Sequence, residues 1–123
     1  MTYKPKILFV DDDSSLNQIL TRILTDQGYS VDIAVDGLSA LEKLQKTNYD
    51  VAILDNNLPQ MNAIDVLKKI QHRNIANKVI MITAVNEEEL ARESRKLGVQ
   101  EVLSKPFDIN QVISSIHKVC KIV

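Results

Sequence analysis

Asp11, Asp12, Asp13, Asp55, Thr83 and Lys105 are the residues of this 123-residue sequence whose types could do chemistry together. Carboxylates brought to one place repel one another and raise their own pKa values. A divalent cation relieves that repulsion, and an all-oxygen donor set without His or Cys favours Mg²⁺, with Mn²⁺ as the alternative. Such a site leaves coordination positions for water and for phosphoryl oxygens. An ammonium and a hydroxyl beside it supply the charge neutralisation and placement that phosphoryl transfer needs. One carboxylate can then act as a nucleophile and form an acyl phosphate. Taken singly, each residue has a plainer account. Asp13, followed by Ser14, fits a helix N-cap. Asp11 and Asp12 fit a turn, Thr83 ends a strand as β-branched residues often do, and Lys105 fits surface charge.

Whether these groups meet depends on the elements that carry them. Short apolar runs occupy Lys6 to Val10, Ser30 to Val35, Val51 to Leu54, Val79 to Thr83 and Val99 to Ser104. Helical spacing fills the intervals. Leu16, Ile19, Leu20, Ile23 and Leu24 form a stripe that ends at Gly28. Leu38, Leu41 and Leu44 form the second stripe, and Ile64, Leu67 and Ile70 the third. Leu90, Ser94 and Leu97 form the fourth, which stops at Gly98; Val112, Ile113, Ile116, Val119 and Cys120 form the last. Asn86 with Glu89, and Asp108 with Gln111, have capping-box spacing. The Glu87-Glu88-Glu89 run reads as a solvated helix start, where the macrodipole favours negative charge.

Five successive β-α units predict an α/β fold: a doubly wound parallel sheet with helices on both faces. Runs one, three and four are apolar nearly throughout, as central strands covered on both faces must be. Run two alternates, and run five contains Gln100 and Glu101, so these two are expected at the edges. Right-handed crossovers then give the order 2-1-3-4-5. In such a sheet ligands bind beyond the carboxyl ends of the strands, where the winding reverses. The acids follow run one, Asp55 follows run three, Thr83 ends run four and Lys105 follows run five. All of them are expected at one edge of the sheet.

Bulk properties narrow the classes. Apolar content is 45% and charged content 25%, those of an ordinary globular domain. A formal net charge of −1 announces no general affinity for nucleic acid or anionic membrane. The lone Cys120 excludes an intramolecular disulfide and reads as a small buried filler. No apolar run is long enough to span a bilayer, and the first residues lack a signal-peptide apolar region. A cytoplasmic location is the expectation.

The segments Ile7 to Asp13, Asp55-Asn56-Asn57-Leu58-Pro59-Gln60-Met61, Ile82-Thr83-Ala84 and Leu103-Ser104-Lys105-Pro106-Phe107 resemble, in this order and spacing, the response-regulator receiver domains of two-component signalling. The resemblance covers the whole chain and implies the flavodoxin-like receiver fold. It implies that Asp55 accepts a phosphoryl group from a histidine kinase or histidine phosphotransfer protein. It gives Asp12 the role of direct Mg²⁺ ligand, Asp11 that of its partner acting through water, and Asn57 a backbone carbonyl in the metal site. Thr83 resembles the hydroxyl that binds a phosphoryl oxygen, and Lys105 the cation that pairs with it beside a cis bond to Pro106. Residues 1–123 are expected to form one receiver domain without an output domain. That domain is expected to be a monomer or weak dimer that answers to a downstream effector protein.

Three positions depart from the family pattern. Ala63 stands where Gly is usual, Val102 where an aromatic residue commonly couples to the threonine, and Val85 places an apolar side chain two residues past Thr83. Val85 is expected to restrict water at the phosphoryl group and slow its loss. The competing reading is a degenerate receiver, a phosphorylation-independent interaction module, which the loss at Val102 would favour. An aspartate-nucleophile phosphatase would need a second acid where Asn57 stands, and a flavin protein would need a phosphate-cradling loop where the acids stand. His72 and His117 read as surface residues, and His117, Lys118 and Lys121 as a solvated basic cluster.

Overall fold

The computed structural model describes residues 4–70, 78–84 and 86–120. Strands and helices alternate as β1 (Lys6–Val10), α1 (Ser14–Asp26), β2 (Ser30–Ala34), α2 (Gly37–Lys46), β3 (Val51–Asp55), α3 (Ala63–Ile70), β4 (Val79–Thr83), α4 (Glu88–Lys96), β5 (Glu101–Ser104) and α5 (Ile109–Cys120). The five strands form one parallel sheet in the order β2-β1-β3-β4-β5. Both expected edges are where run composition placed them.

Side-chain alternation along each central strand divides the core in two. Leu8, Val10, Ala52, Leu54, Val79 and Met81 point to one face, where they meet Ala40, Leu44, Ile64, Leu67 and Ile70 of α2 and α3. Ile7, Phe9, Val51, Ile53, Ile80 and Ile82 point to the other, where they meet Leu20, Leu24, Val112 and Ile116 of α1 and α5. The central strands are therefore apolar throughout, because a period of two alternates between two buried faces rather than between core and water. Burying each large side chain contributes about 1.5–3 kcal/mol.

The helix ends follow capping chemistry with one exception. Asp13 caps α1 by accepting from the N–H groups of Ser15 and Leu16. Asp108 and Gln111 form the reciprocal capping box before α5, each accepting at 2.9 Å from the other's backbone N–H. Gly28 and Gly98, at φ +97° and +107°, end α1 and α4 in the left-handed conformation that glycine adopts without cost. Asn86 and Glu89 do not form the expected box. Instead, α4 begins one residue later, with Glu87 at its N-cap position. Glu87 reaches back to accept from the Ala84 N–H at 2.8 Å, and Glu89 lies 3.8 Å from Arg92.

The stripes also shift. On α2 the buried residues are Gly37, Ala40 and Leu44, and Leu38 is exposed. On α1, Ile19 is exposed and Asn17 is buried with Leu20 and Leu24. Cys120 is half-buried against the α1–α5 side of the core rather than enclosed by it. Burial, with Asp50's charge nearby, pushes its thiol up to about 11, so it stays protonated and inert.

Candidate phosphoryl-acceptor site

Strand register builds the site. Val10 lies opposite Leu54 and Asp55 opposite Ile82, so the residues that follow β1, end β3 and end β4 reach the same level of the sheet. Thr83 pairs with Ser104 in register, and the Lys105 N–H donates to the Thr83 carbonyl at 2.8 Å. Carboxylate oxygens of Asp11, Asp12 and Asp55 all lie within 4.8 Å of one another. Lys105 Nζ donates to Asp55 Oδ2 at 2.7 Å and sits 3.8 Å from Asp11 Oδ2. The Lys105–Pro106 peptide bond is cis.

Asp55 is held at both oxygens, since the Asn57 N–H donates to Oδ1 at 3.1 Å. Asp11, Asp55 and Thr83 are almost fully enclosed, whereas Asp12 and Asn57 are exposed. The site thus has a buried floor and an open, acidic rim. Burial disfavours charge on Asp11, and the hydrogen bond and charge of Asp55 act the same way. The Asp13 N–H and Lys105 oppose them only in part, and the Asp11 carboxyl is raised to about 6. For Lys105, burial works against its charge. The hydrogen bond to Asp55 and the fields of Asp55, Asp11 and Asp12 outweigh it, so the ammonium is held above its ordinary range.

Asp11 Oδ1 accepts from the Asp13 N–H at 2.9 Å, but its Oδ2 is buried with no hydrogen-bond donor among the described residues. A buried carboxylate oxygen that accepts no hydrogen bond among the described residues and has the Lys105 ammonium only at 3.8 Å, in a cluster of three acids, is well suited to a hard divalent cation. The donor set therefore fits Mg²⁺. A proton competes with such a cation for Asp11. Mg²⁺ affinity, measured calorimetrically, is expected to weaken by about ten-fold for each pH unit below about 6 and to level off above it. Without metal the sign reverses for stability. The native protein retains the Asp11 proton to about pH 6 and the unfolded chain only to its ordinary 3.8, so this group's contribution falls as pH rises through that window.

Asp11, Asp12, Asp55, Thr83 and Lys105 converge as expected from the strand ends, whereas Asp13 stays out of the cluster because its carboxylate caps α1. Ala63 needs no glycine: it is the buried first residue of α3. The left-handed position in the loop after Asp55 is instead Gln60, at φ 72°. Val102 is half-buried and lines a groove with Thr83, Ala84, Glu87, Arg92 and Ser104, beside the threonine. His117 is exposed on α5, far along the chain from the strand ends that carry the acids. His72, Val85 and Lys121 lie outside the described residues.

Two further residues serve the site. Gly37 opens α2 with its backbone against the loop after Asp55: its N–H donates to the Pro59 carbonyl at 3.2 Å, and a β-carbon there would stand 1.8 Å from the Met61 carbonyl oxygen. Asn17, whose Nδ2 donates to the Asp11 carbonyl at 2.8 Å, is the second. A glycine in a helical pattern and an asparagine in a polar interval carry no distinguishing mark in one sequence.

Comparison with known proteins agrees with this geometry. Residues 7–117 match the response regulator receiver domain. The chain is 34% identical over 113 residues to sporulation initiation phosphotransferase F of Bacillus subtilis, covering 92% of this chain and 91% of that protein. It is 32% identical to the chemotaxis protein CheY of Thermotoga maritima, covering 94% of this chain and 98% of that protein. It spans only half the length of other relatives, among them the transcriptional regulatory protein DltR of Streptococcus agalactiae, at 31% identity. The receiver domain of the Francisella response regulator 1452 superposes with a TM-score of 0.87 at 33% identity, over 96% of this chain and 98% of that one.

Proposed function

Because the chain belongs to the response regulator receiver domain family of two-component systems, we propose that Asp55 is its phosphoacceptor, working with Asp11, Asp12, Asn57, Thr83 and Lys105. The observation that carries this reading is Lys105 Nζ at 2.7 Å from Asp55 Oδ2, with the two further carboxylates gathered beside them. An interaction module without chemistry has no need of three clustered acids with a lysine ammonium set against two of them.

The donor is a phosphohistidine on a histidine kinase or phosphotransfer protein. An Asp55 oxygen attacks phosphorus, the new O–P bond forms as the P–N bond breaks, and the imidazole nitrogen keeps the bonding electrons. Before transfer, Lys105 and the Asn57 N–H hold the carboxylate in place, which lowers the entropic cost of attack. Lys105 then lies within reach of the oxygens of a phosphoryl group joined to Asp55, and the Thr83 hydroxyl is the second group at that level of the sheet. Asp11, Asp12, Asp55 and the Asn57 carbonyl would hold Mg²⁺, which when bound neutralises charge on the carboxylates and the incoming phosphoryl group. Similarity to a protein named a phosphotransferase supports a place in phosphoryl relay.

The chain is read as a single receiver domain over residues 1–123, cytoplasmic, monomeric or weakly dimeric. It signals by conformational change to an effector protein, with no direct part for nucleic acid or membrane. No helix among the described residues is long and apolar enough to cross a membrane.

Intact-mass spectrometry after incubation with acetyl phosphate and Mg²⁺ tests the assignment. One added phosphoryl group is expected for the unaltered protein, and none for Asp55→Asn or in the presence of EDTA. An adduct that survives Asp55→Asn would remove Asp55 from the role.

A further inference from the structure

The turn that carries Asp11 and Asp12 is held from inside α1. The Asp11 N–H donates to the Ala34 carbonyl at 3.2 Å, which ties the turn to β2. Asp11 Oδ1 accepts from the Asp13 N–H at 2.9 Å. The Asp11 carbonyl, which belongs to the peptide joining the two acids, accepts from Asn17 Nδ2 at 2.8 Å. Asn17 is itself 94% enclosed, by its 6% relative exposure, and shares the buried face of α1 with Leu20 and Leu24. Its Oδ1 is buried and has no donor among the described residues.

A half-satisfied amide at a core position is worse for stability than an apolar side chain of the same shape. Leucine would fill this place on the helix face without an orphaned acceptor. What leucine cannot do is hold the carbonyl between Asp11 and Asp12. A peptide plane free to rotate there would turn the Asp12 side chain away from the other carboxylates, because both acids hang from that one plane.

We infer that Asn17 is a positioning residue for the acidic pair: its amide pins the Asp11–Asp12 peptide so that both carboxylates are presented together to a divalent cation. The inference rests on the Mg²⁺ reading of the Asp11, Asp12 and Asp55 cluster. It assigns Asn17 no contact with the cation or the phosphoryl group. Its effect is on metal affinity and not on the transfer step once metal is bound.

Calorimetric Mg²⁺ titration of the unaltered protein, Asn17→Leu and Asn17→Ala tests it, with Thr21→Val as control. Thr21 lies one turn further along α1, and its Oγ1 is likewise buried with no hydrogen-bond partner among the described residues. Asn17→Leu is the variant expected to fold at least as well as the unaltered protein, by thermal unfolding in EDTA. The expected result is a Mg²⁺ dissociation constant raised at least about five-fold in both Asn17 variants and unchanged in Thr21→Val. The acetyl phosphate reaction is expected to recover to within about two-fold at saturating Mg²⁺. Dissociation constants within about two-fold of the unaltered protein would overturn the inference, as would an equal weakening in Thr21→Val, which would mean general disturbance of the helix. Absence of Mg²⁺ binding by the unaltered protein would overturn the metal reading as well, so the two failures are told apart.

Discussion

Lys105→Met is expected to slow phosphorylation of Asp55 by about 10²–10³-fold at saturating Mg²⁺, followed with acetyl phosphate as donor. The reason is the 2.7 Å contact of Lys105 Nζ with Asp55 Oδ2. That ammonium is the protein's own positive charge at the place where negative charge must accumulate, and methionine fills the space without supplying it. The same substitution leaves Asp55 and Asp11, both almost fully enclosed, without their counter-charge. In EDTA this is expected to cost about 1–2 kcal/mol of stability, less than for a fully buried pair because the Lys105 side chain is 41% exposed. Adding Asp55→Asn to Lys105→Met is expected to restore part of that stability and none of the phosphorylation. A rate within a few-fold of the unaltered protein would mean that Lys105 is an ion-pair partner only.

Gly37→Ala is expected to destabilise the protein by about 3 kcal/mol by denaturant unfolding, a large effect for one methyl group. The added carbon would meet the Met61 carbonyl oxygen at 1.8 Å, its carbonyl carbon at 2.6 Å and its β-carbon at 2.7 Å. Two of these are backbone atoms, which cannot move aside as a flexible side-chain tip can. For a domain of this size, such a loss lowers the unfolding midpoint by roughly 10 °C. The loop that must yield follows Asp55 and includes Asn57, whose N–H holds Asp55 Oδ1. Gly37→Ala is therefore also expected to weaken Mg²⁺ binding, which a distant core cavity would not do. A variant of unchanged stability would show that α2 can draw back from the loop at no cost.

This glycine marks the boundary of what a single sequence discloses. Its backbone conformation is ordinary; what requires it is the approach of another chain segment 24 positions away, from Gly37 to Met61. Asn17 is similar, because a helical asparagine becomes informative only when its amide is found on the Asp11 carbonyl. Asn86 and Glu89 show the opposite case. Their spacing satisfies a local rule, but it is Glu87 that accepts from the Ala84 N–H, and the helix starts one residue later. Gln60, and not Ala63, takes the left-handed position after Asp55, since the point where a loop bends depends on what it packs against. Ile19 and Leu38 continued apolar stripes on paper, yet both are exposed, because a helix buries the face its neighbours cover.

Local pattern along the chain suffices for the order of elements, the central and edge strands, and the convergence of Asp11, Asp12, Asp55, Thr83 and Lys105. These follow from short-range pattern: a strand apolar on both faces must be central, and a parallel sheet brings the residues at its strand ends together. Which of those groups touch depends on how the folded segments pack. That packing sets Lys105 on Asp55, leaves Asp11 Oδ2 without a hydrogen-bond donor among the described residues, raises the Asp11 carboxyl to about 6, and brings Asn17 and Gly37 against the loops. Burial, charge proximity and close approach are relations between segments distant in sequence, and they exist only once the sheet has formed.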